Sequence, residues 1–112
     1  MEIKTEVMKR CVVFTVAGRI DSASAPEFEE KLLGLIQEGQ RNLVISMEDV
    51  TLISSSGLRA LVTARIKVNR AVPRGDVVLS QVPPLVWESM ELVGFQRLFQ
   101  AFDTDVDAVG SF

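Results

Sequence analysis

The sequence predicts an α/β fold: a single domain with a mixed, mostly parallel sheet of about five strands, about four helices and an N-terminal antiparallel hairpin. Three observations carry this. Short apolar runs of strand length alternate with stretches whose apolar residues recur at helical spacing, and that alternation implies parallel strands joined by right-handed crossovers. The first two runs break the pattern, because only Lys9-Arg10 separates them, a connection short enough for antiparallel pairing alone. The chain has 112 residues, which suffices for one core but not two, so one domain over residues 1–112 is expected.

The elements follow in order. Ile3 to Met8 reads as a weak edge strand. Cys11 to Ala17 is rich in β-branched and aromatic residues, with Gly18 as its end and Arg19 to Ala23 as a loop. Ser24-Ala25-Pro26-Glu27 opens a helix. Ser24 is placed as N-cap, Glu27 three residues on completes a capping box, and Pro26 lies in the first turn. Phe28, Leu32, Leu35 and Ile36 form its apolar stripe and Gly39 its stop. Leu43 to Ser46 is a buried strand, and a second helix runs from Ser55 to Asn69. After a turn at residues 71–75, Val77-Val78-Leu79 is another buried strand. Pro83-Pro84 starts a third helix that Gly94 ends. Leu98 to Phe102 alternates as a last strand, and Thr104 caps a short helix over Asp105 to Val109. The core expected from these patterns includes Phe14, Val16, Phe28, Leu32, Ile36, Val44, Leu58, Leu61, Val62, Val78 and Met90.

Composition narrows the function. Apolar residues make up 47% and charged residues 24%, the profile of a globular protein, and no apolar run reaches membrane-spanning length. Met1-Glu2-Ile3-Lys4 lacks the basic-then-apolar start of a signal peptide, so no membrane insertion and a cytoplasmic location are expected. The single Cys11 excludes an internal disulfide and a cysteine metal cluster, and it reads as a small core residue. With no histidine and no tyrosine, the commonest general base, the commonest metal ligand and every Ser-His-Asp arrangement are gone. There is no Gly-rich phosphate loop ending in Lys-Ser/Thr. No enzyme activity, metal or cofactor is therefore expected. A net charge of −3 argues against nucleic-acid binding. The stretch from Leu52 to Gly75 is an exception, carrying Arg59, Arg65, Lys67, Arg70 and Arg74 and no acid. Most of these read as solvated charges on an outer helix face, with a basic docking face as the sharper alternative.

The chain is organised around Val50-Thr51-Leu52-Ile53-Ser54-Ser55-Ser56-Gly57-Leu58-Arg59, where three serines and a glycine sit at a strand-to-helix junction. A serine there can cap the helix by accepting an unpaired backbone N–H. The same place suits a phosphoryl group, because free N–H groups and the positive end of the helix dipole converge on it.

Three stretches resemble the STAS domain family, which includes the bacterial anti-sigma factor antagonists. Gly18-Arg19-Ile20-Asp21 with Ser24-Ala25-Pro26 resembles the family's Gly-x-Ile/Leu-Asp loop and first helix start. Asp49-Val50-Thr51-Leu52-Ile53 followed by Ser54-Ser55-Ser56-Gly57-Leu58 resembles its Asp-Val-x-x-Met-Asp-Ser-Ser/Thr-Gly-Leu motif. Val93-Gly94-Phe95 resembles the close of its third helix.

The resemblance implies an anti-sigma factor antagonist working by partner switching. In the family, the serine after the motif aspartate is phosphorylated by a partner that is both anti-sigma factor and serine kinase. The phosphorylated protein is released, and a serine phosphatase resets it. By position the phosphoacceptor is Ser55, with Ser56 as the alternative. Partner contacts are expected from Asp21 and Ser22 in the first loop and from Ser54, Ser56, Gly57 and Arg59 at the helix start. Two departures stand out. Ser54 replaces the motif aspartate, which puts kinase recognition in question. Arg59 stands where the family often has a small residue, four residues after Ser55 and so able to meet it on a helix surface. The alternative is a phosphorylation-independent STAS subunit of a lipid-transport ATPase or a signalling scaffold. Without the resemblance the serines read as caps alone, Asp21 as a turn residue bonding its own backbone and Trp87 as a packed aromatic. A homodimer is left open.

Overall fold

A computed structural model describes all 112 residues. Its elements are β1 (Glu2–Val7), β2 (Val12–Ile20), α1 (Ala25–Gln37), β3 (Asn42–Ser46), β4 (Val50–Ile53), α2 (Ser55–Asn69), β5 (Asp76–Ser80), α3 (Pro84–Leu92), a 3₁₀ turn (Phe95–Leu98), β6 (Ala101–Phe102) and α4 (Asp105–Gly110). Five strands lie in the order β1-β2-β3-β5-β6, and β4 pairs with β2 off that row. The β1–β2 pair is antiparallel and every other pair is parallel. No helix is long and apolar enough to cross a membrane.

Alternation along β2 sorts the core onto two faces. Val12, Phe14 and Val16 point into the larger cluster with Phe28 and Leu32 of α1, Leu58 and Leu61 of α2, and Met90 of α3. The Phe14 and Phe28 rings meet edge to face at 5.7 Å. Cys11 and Val13 face the other way, against Val44, Val78 and Ala108 of α4. Burial pushes the Cys11 thiol up, in keeping with a core residue. Of the expected core, Ile36 and Val62 are only partly buried, and the others named above are buried.

Four expectations need correction. β2 does not stop at Gly18 but runs to Ile20, so the loop begins later than Arg19. Gly18, at φ 93°, is where β4 takes over from β3 as the parallel neighbour of β2, and the β2–β4 register shifts between it and Arg19. Val50–Ile53, read as part of the serine junction, is the separate strand β4, giving six strands. The run from Leu98 to Phe102 is mostly 3₁₀ turn and loop, with only Ala101–Phe102 paired. Ser24 holds the N-cap position of α1 but makes no side-chain capping bond, for a reason found at the site itself.

Candidate functional site

β2 and β4 run side by side, with Ile20 opposite Ile53, so the residues after them emerge together at one end of the sheet. Those residues are Asp21 and Ser54. The Ser54 N–H donates to the Ile20 carbonyl at 2.7 Å, which ties the two segments at their exit. The first loop and the start of α2, matched separately in the sequence, are therefore neighbours.

Ser54 is the N-cap of α2. Its backbone is extended (φ −82°, ψ 169°), and its Oγ accepts the Gly57 N–H at 3.2 Å. Ser55 is the first helical residue and is exposed, Ser56 is half-buried, and Gly57 is buried. No acid occupies the first turn. The positive end of the dipole is thus uncompensated at Ser55. Gly57 is there because nothing larger fits: a Cβ would lie 2.7 Å from Ile20 Cγ2 and 2.9 Å from Ile53 Cγ1. The glycine lets α2 press against both strands.

Asp21 organises the neighbouring loop. Its Oδ1 accepts the N–H groups of Ala23 at 3.0 Å and Ser24 at 2.9 Å. The Ser24 hydroxyl accepts the Asp21 N–H at 3.0 Å and reaches the Arg19 carbonyl at 2.9 Å. The carboxylate thus takes the turn donors ahead of α1, and the Ser24 side chain is drawn back into the loop and makes no capping bond. Ser22 is exposed at the loop's tip. The Ser24 N–H, helped by the Ser24 hydroxyl, the Ala23 N–H and Arg19, holds the Asp21 carboxyl below the usual carboxylate value. A lowered folded-state value stabilises above the ordinary carboxylate range, and the benefit disappears as pH falls through the folded value. Asp21→Ala should accordingly melt below the wild type at pH 7, and the gap should narrow on acidification; thermal melts across pH 7 to 3 measure it.

Beside Ser55 is a pocket of about 220 Å³ lined by Ser55, Leu58, Arg59, Val93 and Phe95. Arg59 is exposed and shares this pocket with Ser55, as their spacing suggested. The rest of the basic stretch divides: Arg65 pairs with Asp76 at 3.1 Å and Arg74 bonds the Asn69 side chain, whereas Lys67 and Arg70 are exposed. Trp87 is half-buried against the core. Sequence reasoning missed Ile20 and Ile53 as the seat of the helix start, and Val93 and Phe95 as the far wall of the pocket. The match of Val93-Gly94-Phe95 to a family motif was a signal for the last two, but one that carried no position in space.

A model of the STAS domain matches residues 2–108. A Bordetella bronchiseptica protein named as an anti-sigma factor antagonist is 25% identical over 112 residues, covering 100% of this chain and 95% of that one. The anti-sigma-B factor antagonist of Staphylococcus aureus is 31% identical over 58 residues, 52% of this chain and 54% of the relative. Among solved structures, an anti-sigma factor antagonist from Mycobacterium paratuberculosis superposes with a TM-score of 0.87 at 23% identity, covering 98% of this chain and 92% of that one.

Proposed function

The chain belongs to the STAS domain family, and from that premise we propose that it is an anti-sigma factor antagonist acting by partner switching, with Ser55 as the phosphoacceptor. The observation that carries the reading is the exposure of Ser55 at the first position of α2, beside the Asp21 loop, while Ser54 is committed to capping. The unphosphorylated chain binds an anti-sigma factor that is also a serine kinase, through Asp21, Ser22, Ser56 and Arg59 and the helix start that Ser54 and the buried Gly57 shape. The kinase supplies nucleotide, metal and base, so the antagonist needs no catalytic group of its own.

Phosphorylation adds nearly two negative charges at a helix start with no acid in its first turn, a place that tolerates them. The fold survives, and the charge acts on the docked partner through repulsion and desolvation. A serine phosphatase returns the chain to its binding form. Incubation with the cognate kinase and ATP should add one phosphate, mapped to Ser55 by fragmentation mass spectrometry. Phosphate on Ser56 alone would move the register by one residue.

One observation favours a second reading. Ser54 stands where the family motif has aspartate. A phosphorylation-independent STAS subunit, of a lipid-transport ATPase or a signalling scaffold, would keep the capped helix start and not the kinase target. Absence of phosphate on Ser55 in the presence of a kinase proven to bind would support it.

A further inference from the structure

The helix α3 has two apolar stripes. Val86 and Met90 form one and are buried in the main core. Leu85 and Leu92 form the other, at i and i+7 with Ser89 between them, and turn toward Leu52 of β4 across a groove of about 320 Å³. The fold does not cover this second stripe: Leu85 is 72% exposed, Leu92 81% and Leu52 41%. Leu92 continues into Val93, 52% exposed, which forms the far wall of the Ser55 pocket. Groove and phosphoacceptor thus share one surface, and contiguous exposed apolar area of this kind marks a contact site.

Resting on the partner-switching reading, we propose that this groove between β4 and α3 docks an aliphatic segment of the same anti-sigma factor. The rim says what kind of segment. Glu88 lines the groove and is exposed, and it belongs to neither of the two ion pairs of the chain, Arg19–Asp21 and Arg65–Asp76. A second copy seated here about a dyad would bring the two Glu88 carboxylates onto one apolar strip, which is repulsive. A partner offering aliphatic side chains flanked by lysine or arginine satisfies both. The apolar contact then supplies affinity in either phosphorylation state, and Ser55 at its margin decides release.

The test is calorimetric titration against the anti-sigma factor identified as the Ser55 kinase. Leu85→Glu/Leu92→Glu should raise Kd tenfold or more, and Glu88→Lys, which leaves every apolar group in place, should raise it severalfold. Val106→Glu, at the equally exposed apolar residue of the distant α4, should leave Kd within about twofold. Circular dichroism of each variant guards against unfolding. Unchanged Kd in the double variant, with Ser55→Glu still weakening binding, overturns the groove and leaves the switch standing. Weakening by the double variant but not by Ser55→Glu upholds the groove and overturns the switch. If light scattering shows a wild-type dimer that the double variant dissolves, the occupant is a second copy and the proposal fails. It fails also if native mass spectrometry finds a bound acyl chain that the double variant loses.

Discussion

Replacing Ser55 with glutamate should lower affinity for the anti-sigma factor by tenfold or more while leaving the melting temperature nearly unchanged. The two effects differ because the added charge meets two different surroundings. Within the chain it sits in the first turn of α2, where an acid stabilises by about 0.3–1 kcal/mol and where the turn itself carries no other acid. Across a docked interface, a buried charge without a partner costs on the order of 2–5 kcal/mol, more than enough for a tenfold loss. The cost at the interface therefore wins. Ser55→Ala removes the site without adding charge, and because Ser54 rather than Ser55 is the N-cap, it should also keep the helix cap. Alanine at 55 should then bind constitutively, at wild-type stability. Titration of the three proteins, with melting curves alongside, decides the matter: equal affinities for alanine, serine and glutamate would falsify the switch.

Arg59 bears on how complete that switch is. It lies in the same pocket as Ser55 and in neither ion pair of the chain. Turned onto a phosphoserine, it would offset part of the charge that repels the partner. Its side chain is long and solvated, so the offset is small beside the interfacial cost.

Much of this was readable from the sequence because it depends on local chemistry. The start of α2 at Ser55 follows from apolar spacing and from serines that can cap, and the start of α4 after Thr104 follows from the same logic, its hydroxyl accepting the Asp107 N–H. What failed depends on partners distant in the chain. Val50–Ile53 has three β-branched residues but is only four long and runs straight into the serines; what makes it a strand is the pairing that sets Ile53 opposite Ile20. Gly18 reads locally as an end, and becomes a point of register shift only because β4 is there to take over from β3. The Ser24 side-chain cap is the local exception: its hydroxyl is held by the Asp21 N–H and the Arg19 carbonyl, and so does not turn to the Glu27 N–H. The motifs placed Asp21 and Ser55 in one site through resemblance alone; the pairing of β2 with β4 supplies the physical reason. Exposure of Leu85 and Leu92 had no signal in the pattern, because a stripe of leucines reads the same whether or not the fold covers it.

The close seating of α2 on both strands makes Gly57 the most sensitive position of the site. Gly57→Ala puts a methyl group 2.7 Å from Ile20 Cγ2 and 2.9 Å from Ile53 Cγ1, closer than side-chain carbons pack. Ile20 is fully buried and Ile53 is 6% exposed, so neither has free space to enter. Both are β-branched and stiff at χ1. Alanine favours the helix over glycine by about 1 kcal/mol, while overpacking of this kind costs about 1–3 kcal/mol. The clash should win in this rigid setting, with net destabilisation of up to about 2 kcal/mol and a lower melting point. Gly34→Ala is the matched control, lying inside α1 with no atom within 4 Å of the new Cβ; there the helix preference acts alone and the protein should gain stability. Relief of the Gly57 clash requires the start of α2 to lift from β2 and β4. That would lengthen the Ser54 N–H to Ile20 carbonyl bond and separate Ser55 from the Asp21 loop. Partner affinity should therefore fall for Gly57→Ala even with Ser55 unphosphorylated, and stay at the wild-type value for Gly34→Ala. A Gly57→Ala protein that melts and binds as the wild type would show that Ile20 and Ile53 yield, and that the helix start is not held where the packing places it.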